Sequence, residues 1–311
     1  MRLVRDQEVV GSNPIFPTIF ILFERKVFLF QTKAGILNRR MEETRKLKAF
    51  DKRIHEIDLW RGILMCLVIL DHLFNLLMSF NKGWAGAANT EPFYTIYRIA
   101  NFYWTHPVRT GVRWACLGGF CFVSGISSAF SRNNWKRAGE MILLWFIIFF
   151  GSNILESIRM NFNLDLGVRT FRVDFNIIGV LAWSTLIYCF VQDKNYKWLI
   201  ALIAIGLLIH PICVLLSNTA WGKETYAPFF WRPTKEVADQ ADYMPLFPYV
   251  SCFLGGALLS KFTYNVSRKS YFKRYEWERP ICFVGRHSLI IYATHFVLLI
   301  GIFSLVGLFI K

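Results

Sequence analysis

The chain is poor in charge. Asp, Glu, Lys and Arg make up 18% of its 311 residues, against about 25% in an ordinary soluble domain. Acids are the scarcest class, 21 against 36 basic residues, so the formal net charge is +15. No metal-ligand spacing joins cysteine to histidine. The seven cysteines (66, 116, 121, 189, 213, 252 and 282) all lie in apolar stretches, and Cys116 and Cys121, five apart in one of them, chelate poorly. They read as small core hydrophobes, and no metal is expected. Their usage does not identify a redox compartment. There is no clear internal repeat, a feature many membrane carriers possess. A signal peptide is not expected either. Arg2 and Arg5 give a basic start, but Asp6 and Glu8 follow, the apolar stretch 14–23 is short, and no small-residue cleavage site appears.

Hydrocarbon is what the sequence has in quantity. Apolar residues reach 54% and aromatics 17%, with 30 Phe, and the mean hydropathy is +0.36. Seven long apolar runs occupy 59–80, 111–131, 140–157, 175–191, 198–217, 245–262 and 281–310. About 20 apolar residues cross a bilayer, and only helices or closed barrels can do so. These runs are continuous rather than alternating, so they are helices. The expected fold is all-α: a polytopic transmembrane bundle of about seven spans. The aromatic-rich segment 91–104 suits an interfacial helix; counted as a span it makes eight.

Residues 1–40 read as a non-native or disordered extension. The string 5–14 (Arg-Asp-Gln-Glu-Val-Val-Gly-Ser-Asn-Pro) looks like a translated transfer-RNA gene. Met41-Glu42-Glu43-Thr44-Arg45-Lys46 is a cleaner start, so 41–311 is taken as the transmembrane domain. Its basic residues set orientation. Arg45, Lys46, Lys48, Lys52 and Arg53 precede the first span, and the short even-numbered loops carry Arg132, Lys136 and Arg137, then Lys194 and Lys197, then the cluster 268–279. The longer odd-numbered loops are sparser in Lys and Arg. The N-terminus and short loops are therefore cytoplasmic, and 81–110, 158–174, 218–244 and the C-terminus are outside, in what we take as the cell (plasma) membrane. Positive charge placed this way serves topology, and no nucleic acid is expected.

Ionisable groups inside spans cost several kcal/mol unless they face a partner or a wet cavity, and so mark candidate sites. Asp71 and His72 lie in the first span, about 16 Å beyond Arg61 at 1.5 Å per residue. Asn75 shares a face with Asp71. In the last span Ser288, Tyr292 and His295 recur at i, i+4 and i+7, one polar stripe that must face the interior. Arg286 and His287 sit at its inner end, placed to meet an anion. His106 closes the first outer loop, and Asp242 precedes the sixth span. Gly118, Gly119 and Gly125 allow helices to approach closely.

The strings Arg53-Ile54-His55-Glu56-Ile57-Asp58-Leu59-Trp60-Arg61-Gly62, Asp242-Tyr243-Met244-Pro245-Leu246-Phe247-Pro248 and Gly285-Arg286-His287-Ser288-Leu289-Ile290-Ile291-Tyr292 resemble the heparan-α-glucosaminide N-acetyltransferase catalytic-domain family over nearly all of 50–300. The first string is the most specific; the last is shared with other membrane acyltransferases. The resemblance implies transfer of an acetyl group from cytosolic acetyl-CoA, a cosubstrate, to an acceptor across the membrane. In the lysosomal member that acceptor is a terminal glucosamine of heparan sulfate. The histidine assigned as catalytic in that enzyme falls on His106 here. An asparagine on its first helix falls on His72, where many microbial relatives have histidine. This chain also has fewer spans.

Acyl transfer needs a base for the attacking amine or hydroxyl, donors for the oxyanion and cations for the CoA phosphates. The expected catalytic residues are His106, as base, His72, as polariser or oxyanion donor, and Asp71. Arg61, Arg286, His287, Ser288 and Tyr292 are expected to hold the donor. Asn75, Asp242 and His295 are expected to hold a sugar or glycan-like acceptor. The bilayer is the surrounding partner, and a homodimer is compatible. Two rival readings are a proton-coupled transporter using Asp71, His72 and His295 as a relay, and a non-catalytic membrane scaffold.

Overall fold

A computed structural model describes residues 54–83, 91, 93–163, 170–263, 270, 272–273 and 275–310. The extension 1–40, the basic leader 45–53, Lys311 and part of the basic cluster 268–279 lie outside the described residues. The elements in chain order are α1 (His55–Gly83), α2 (Phe93–Thr105), α3 (Pro107–Ser128), α4 (Asn134–Asn161), α5 (Ile177–Val191), α6 (Tyr196–Ser217), the short α7 (Ala220–Glu224) and α8 (Lys235–Ala238), α9 (Tyr249–Thr263), α10 (Arg279–Arg286) and α11 (Ser288–Ile310). No strand occurs among the described residues.

All seven apolar runs form helix, and the aromatic segment forms α2. Asparagine starts three of the helices. Asn133, Asn176 and Asn195 each accept a bond from an N–H of the first turn of α4, α5 and α6, which satisfies donors the helix itself leaves open. Four helices are long and apolar enough to cross a membrane: His55–Met78 within α1, α4, α6, and Ser288–Val306 within α11. The other runs fall short of that criterion for identifiable reasons. α3 carries Arg109 and Arg113 in its opening turns. α5 and α9 are only 15 residues each, about 22 Å against a hydrocarbon core near 30 Å. The last run meets the criterion only from Ser288 onward, because His287 leaves helical geometry (φ −103, ψ 14) between α10 and α11.

The shortened helices are completed by irregular chain. Residues 170–176 lead into α5 and 240–248 lead into α9, and the two segments bond to each other (Ala241 N to Arg172 O at 2.8 Å, Met244 N to Phe175 O at 3.0 Å). Asp174, Phe175 and Asn176 are all buried. Asp174 ties the region together, accepting from Arg172 Nε at 3.0 Å, Gln240 Nε2 at 3.0 Å and Asn153 Nδ2 at 3.4 Å.

Burial is inverted relative to a soluble protein. On α6 only Leu199, Gly206 and Cys213 are buried, one narrow stripe at seven-residue spacing. Leu208 and Leu215 on the same helix are 66% and 70% exposed. α4 likewise exposes Leu143, Phe146, Ile147, Phe150 and Ile154. Faces this apolar belong against lipid. α5 is the interior helix, buried along most of its length.

Two close crossings organise the bundle. On α1, a Cβ at Gly62 would meet Ile281 O at 2.0 Å, and a Cβ at Gly285 would meet Asp58 O at 1.8 Å. Between α3 and α9, Gly125 lies against Phe253 O (1.9 Å) and Gly256 against Phe122 O (1.9 Å). Each pair is reciprocal, so both helices must be glycine at the crossing. Of the glycines expected to allow close approach, Gly125 does so. Gly118 and Gly119 have ordinary clearance, 3.6 Å to Cys252 and 3.5 Å to Leu64.

Candidate functional site

The Gly62–Gly285 crossing sets a register. Ten residues further along α1 stands His72, and ten residues beyond Gly285 stands His295, the same rise of about 15 Å. The two histidines meet there. His72 Nδ1 lies 2.6 Å from His295 Nε2, and the rings meet edge to edge, with centroids 4.9 Å apart and planes 8° from parallel.

Their hydrogen bonds fix the protons. His295 Nδ1 lies 2.7 Å from Tyr292 O and 3.2 Å from Ile291 O. Carbonyls only accept, so Nδ1 of a neutral His295 carries the proton and its Nε2 carries the lone pair. His72 Nδ1 must then donate to that nitrogen. The remaining lone pair of the neutral His72 ring is on Nε2. His295, buried at 6% exposure, thus leaves the His72 lone pair on Nε2.

Asp71 takes no part in this pair. Adjacent residues on a helix point in different directions, and Asp71 faces the start of α3. Arg109 grips it with both ends of its guanidinium, Nε to Oδ1 at 2.7 Å and Nη2 to Oδ2 at 2.8 Å, the strong two-point geometry. Tyr103 donates to Oδ1 at 3.1 Å. Trp104 stacks 3.4 Å from the guanidinium carbon, adding a cation–π contact.

Two cavities meet at His72. The first, about 50 Å³, lies among α1, α3 and α11 and is lined by Asp71, His72, Tyr103, Arg113, Asp242 and Tyr292. The second, about 550 Å³, lies between α4 and α11. His72, Asp242 and Tyr292 line both. Asp242 accepts a hydrogen bond from the Tyr292 hydroxyl, and the Asp174 hub fixes the segment that carries it. Beside that hub, burial and then the Asp174 carboxylate push the Tyr226 hydroxyl up to about 12. It therefore stays protonated and neutral, and the Arg172 guanidinium carbon lies 5.6 Å from the centroid of its ring.

The remaining expected residues are distributed along the bundle. Ser288 is buried below Tyr292. Asn75 is half-buried on α1 and lines neither cavity. Arg61 and Arg286 neighbour the two crossing glycines, both half-buried; Arg286 Nε donates to Cys282 O at 3.2 Å. His287 is exposed at the α10–α11 joint, its Nδ1 2.9 Å from Phe283 O. His106 is exposed and caps α3, its Nδ1 accepting from Val108 N at 3.3 Å. It lines neither cavity. With Nδ1 so engaged, the neutral ring carries its proton on Nε2.

Sequence reasoning did not assign Arg109, Tyr103 or Arg113. A signal existed. Arg109 and Arg113 are four apart at the head of an apolar helix, and two guanidiniums on one face there require carboxylate or water. Among the described residues no group of three or more His, Cys, Asp or Glu side chains has the arrangement of a metal site.

The family model described as Heparan-alpha-glucosaminide N-acetyltransferase, catalytic, matches residues 53–297. Comparison with curated proteins and with solved structures returns no match.

Proposed function

The chain belongs to the heparan-alpha-glucosaminide N-acetyltransferase catalytic family, and from that premise we propose that it moves an acetyl group from cytosolic acetyl-CoA to a sugar or related acceptor at the outer side of the bilayer. The observation that carries the mechanism is the His72–His295 pair, with a lone pair on His72 Nε2 where two cavities meet.

The acceptor presents an amine or hydroxyl to His72. As its nitrogen or oxygen bonds to the thioester carbon, the proton passes to His72 Nε2. The C–S bond then breaks, and coenzyme A departs as the thiol after taking that proton back. Loss of such a base costs about 10²–10⁴-fold in rate. The imidazolium formed on the way is shared with His295 across the short contact. Arg113, in the wall of the first cavity, is the cation for the developing oxyanion. Arg61, Arg286 and His287, at the inner end, are assigned to the phosphates of the donor.

His106 is the base by family resemblance. Geometry favours His72, since the His106 Nδ1 lone pair is spent on capping α3. His106 instead fixes the helix start that carries Arg109 to Asp71. The assignments differ in one result. His106→Gln retains transfer within about tenfold if His72 is the base, and loses it if His106 is.

The supporting topology has seven spans, α2 in the interface and the N-terminus inside. Single cysteines at Asn89, Asp193 and Lys311 in a cysteine-free background test it. An impermeant reagent on intact cells should modify 89 and 311 and spare 193. The enzyme reading itself is tested by calorimetric titration of acetyl-CoA into purified protein in nanodiscs. Saturable binding is expected; absence of binding would move the assignment to a proton-coupled transporter.

A further inference from the structure

The cavity between α4 and α11 has a composition that acyl transfer from a soluble donor to a soluble sugar does not explain. Its volume, about 550 Å³, lies in the range of small-molecule sites, about 300–1,000 Å³. Its walls are hydrocarbon: Ile147, Leu155, Phe296, Val297 and Ile300 among them. The ionisable groups His72, Asp242 and His295, with Tyr292, also line it, as do Ser152 and Asn176; the Ser152 hydroxyl is taken up by Val173 backbone. Exposure is graded. Ile147 and Val297 at the mouth are 59% and 68% exposed, whereas Tyr292 and His295 at the base are 8% and 6% exposed. Both α4 and α11 are among the helices long and apolar enough to cross the membrane, so the mouth opens on lipid.

Glycine forms part of the wall of the cleft. Gly151 on α4 and Gly301 on α11 line it, and a Cβ at either would meet nothing within 4 Å. Neither glycine serves helix packing, unlike Gly62, Gly125, Gly256 and Gly285. Interior glycine costs a helix about 0.5–1 kcal/mol relative to alanine. At both positions the wall of the cleft carries no side chain.

We propose that this cleft seats the hydrocarbon chain of a lipid-linked acceptor, a sugar or similar nucleophile carried on an alkyl or isoprenoid tail, entering sideways from the bilayer. The tail lies along α4 between Ile147 and Leu155, a length of about 12 Å. The polar head meets His72, Asp242 and Tyr292. The inference rests on the acyl-transfer reading for the role of the head, but the seating of the tail is measurable without turnover.

The probe is an alkyl β-glucosaminide bearing a photoreactive diazirine in its chain, added to the full-length protein in nanodiscs and irradiated. Peptide mapping should place the label on 147–155 and 293–301. Excess n-dodecyl β-glucosaminide should suppress it at least tenfold, and methyl β-glucosaminide should not. Gly151→Phe and Gly301→Phe together should abolish it, while Gly139→Phe, also in open space on α4 but away from the cleft, should leave it intact. The wild-type map decides even where the double variant does not fold. Label spread equally over the exposed face of α6 would overturn the proposal. So would suppression by saturating coenzyme A, which would assign the cleft to the donor's own arm. Acetyl-CoA binding, measured on the same samples, separates failure of this inference from failure of the enzyme reading.

Discussion

The two halves of α1 differ in how they are packed. Around Asp58–Gly62 the helix touches α10 backbone to backbone, with no room for a methyl group on either side. At the same level His55 and Glu56 contact Ser270, and His55 reaches Glu278 at 3.8 Å. Just beyond the mid-point, around Asp71 and His72, the same helix borders two cavities. A rigid crossing at one end and open space at the other is what a site needs when its geometry must be held while a ligand enters. The tight half fixes the register; the open half uses it.

The comparison breaks most visibly if the open half is chemically idle. Replacing His72 by Ala should lower acetyl transfer by about 10²–10⁴-fold while acetyl-CoA binding and melting temperature stay near wild type. Replacing His295 by Phe should give a smaller loss, because it removes the partner that fixes the His72 tautomer and not the base. A pH–rate profile separates them: the His295 variant should move the acidic limb, where the base loses its proton, which a purely structural defect would not. Wild-type rates for the His72 variant, measured with radiolabelled acetyl-CoA and any acceptor, would remove the base from this position.

The next effect tests whether Asp71 belongs to scaffold or chemistry. Its carboxylate is held by Arg109 and Tyr103 and not by His72. Asp71→Ala leaves a guanidinium without its carboxylate, a loss of about 3–5 kcal/mol when such a pair is broken from one side. Yield and thermal stability should fall. Asp71→Ala with Arg109→Met should recover much of the stability, since removing both charges is far less costly than removing one. Full recovery of activity in the double variant would show that the pair is structural alone.

Much of this was legible in the residues. Asp71, His72 and the stripe Ser288–Tyr292–His295 stand out because lipid makes an isolated polar side chain expensive, and all three residues of the stripe are buried. The helical nature of every long run was also readable from continuity. The lengths of α5 and α9 were not. Phe175 and Pro245–Phe247 are as apolar as the helices they precede, so hydropathy does not register where Asn176 caps one helix and where the other starts at Tyr249. Arg109 was hidden because its partner is 38 residues away. Pairing of His72 with His295 spans 223 residues and depends on Gly62 and Gly285, each unremarkable alone. Their meaning lies in being opposite each other.

The smallest effects give the sharpest reading of the comparison, because one substitution is made in both halves. Gly285→Ala puts a Cβ 1.8 Å from Asp58 O. Backbone cannot yield as a side-chain tip can, so the helices must separate, at about 1–3 kcal/mol, and the His72–His295 contact ten residues on should loosen with them. Gly151→Ala puts its Cβ in open space and gains the helix preference of alanine, about 0.5–1 kcal/mol. Melting of the purified proteins in one detergent should therefore shift down for the first and slightly up for the second. Activity should fall in the first despite the distance from His72, and change little in the second, since one methyl fills only a small part of the cleft. Equal destabilisation by both would mean that the open half is packed as tightly as the closed one, and the division of labour along α1 would not hold.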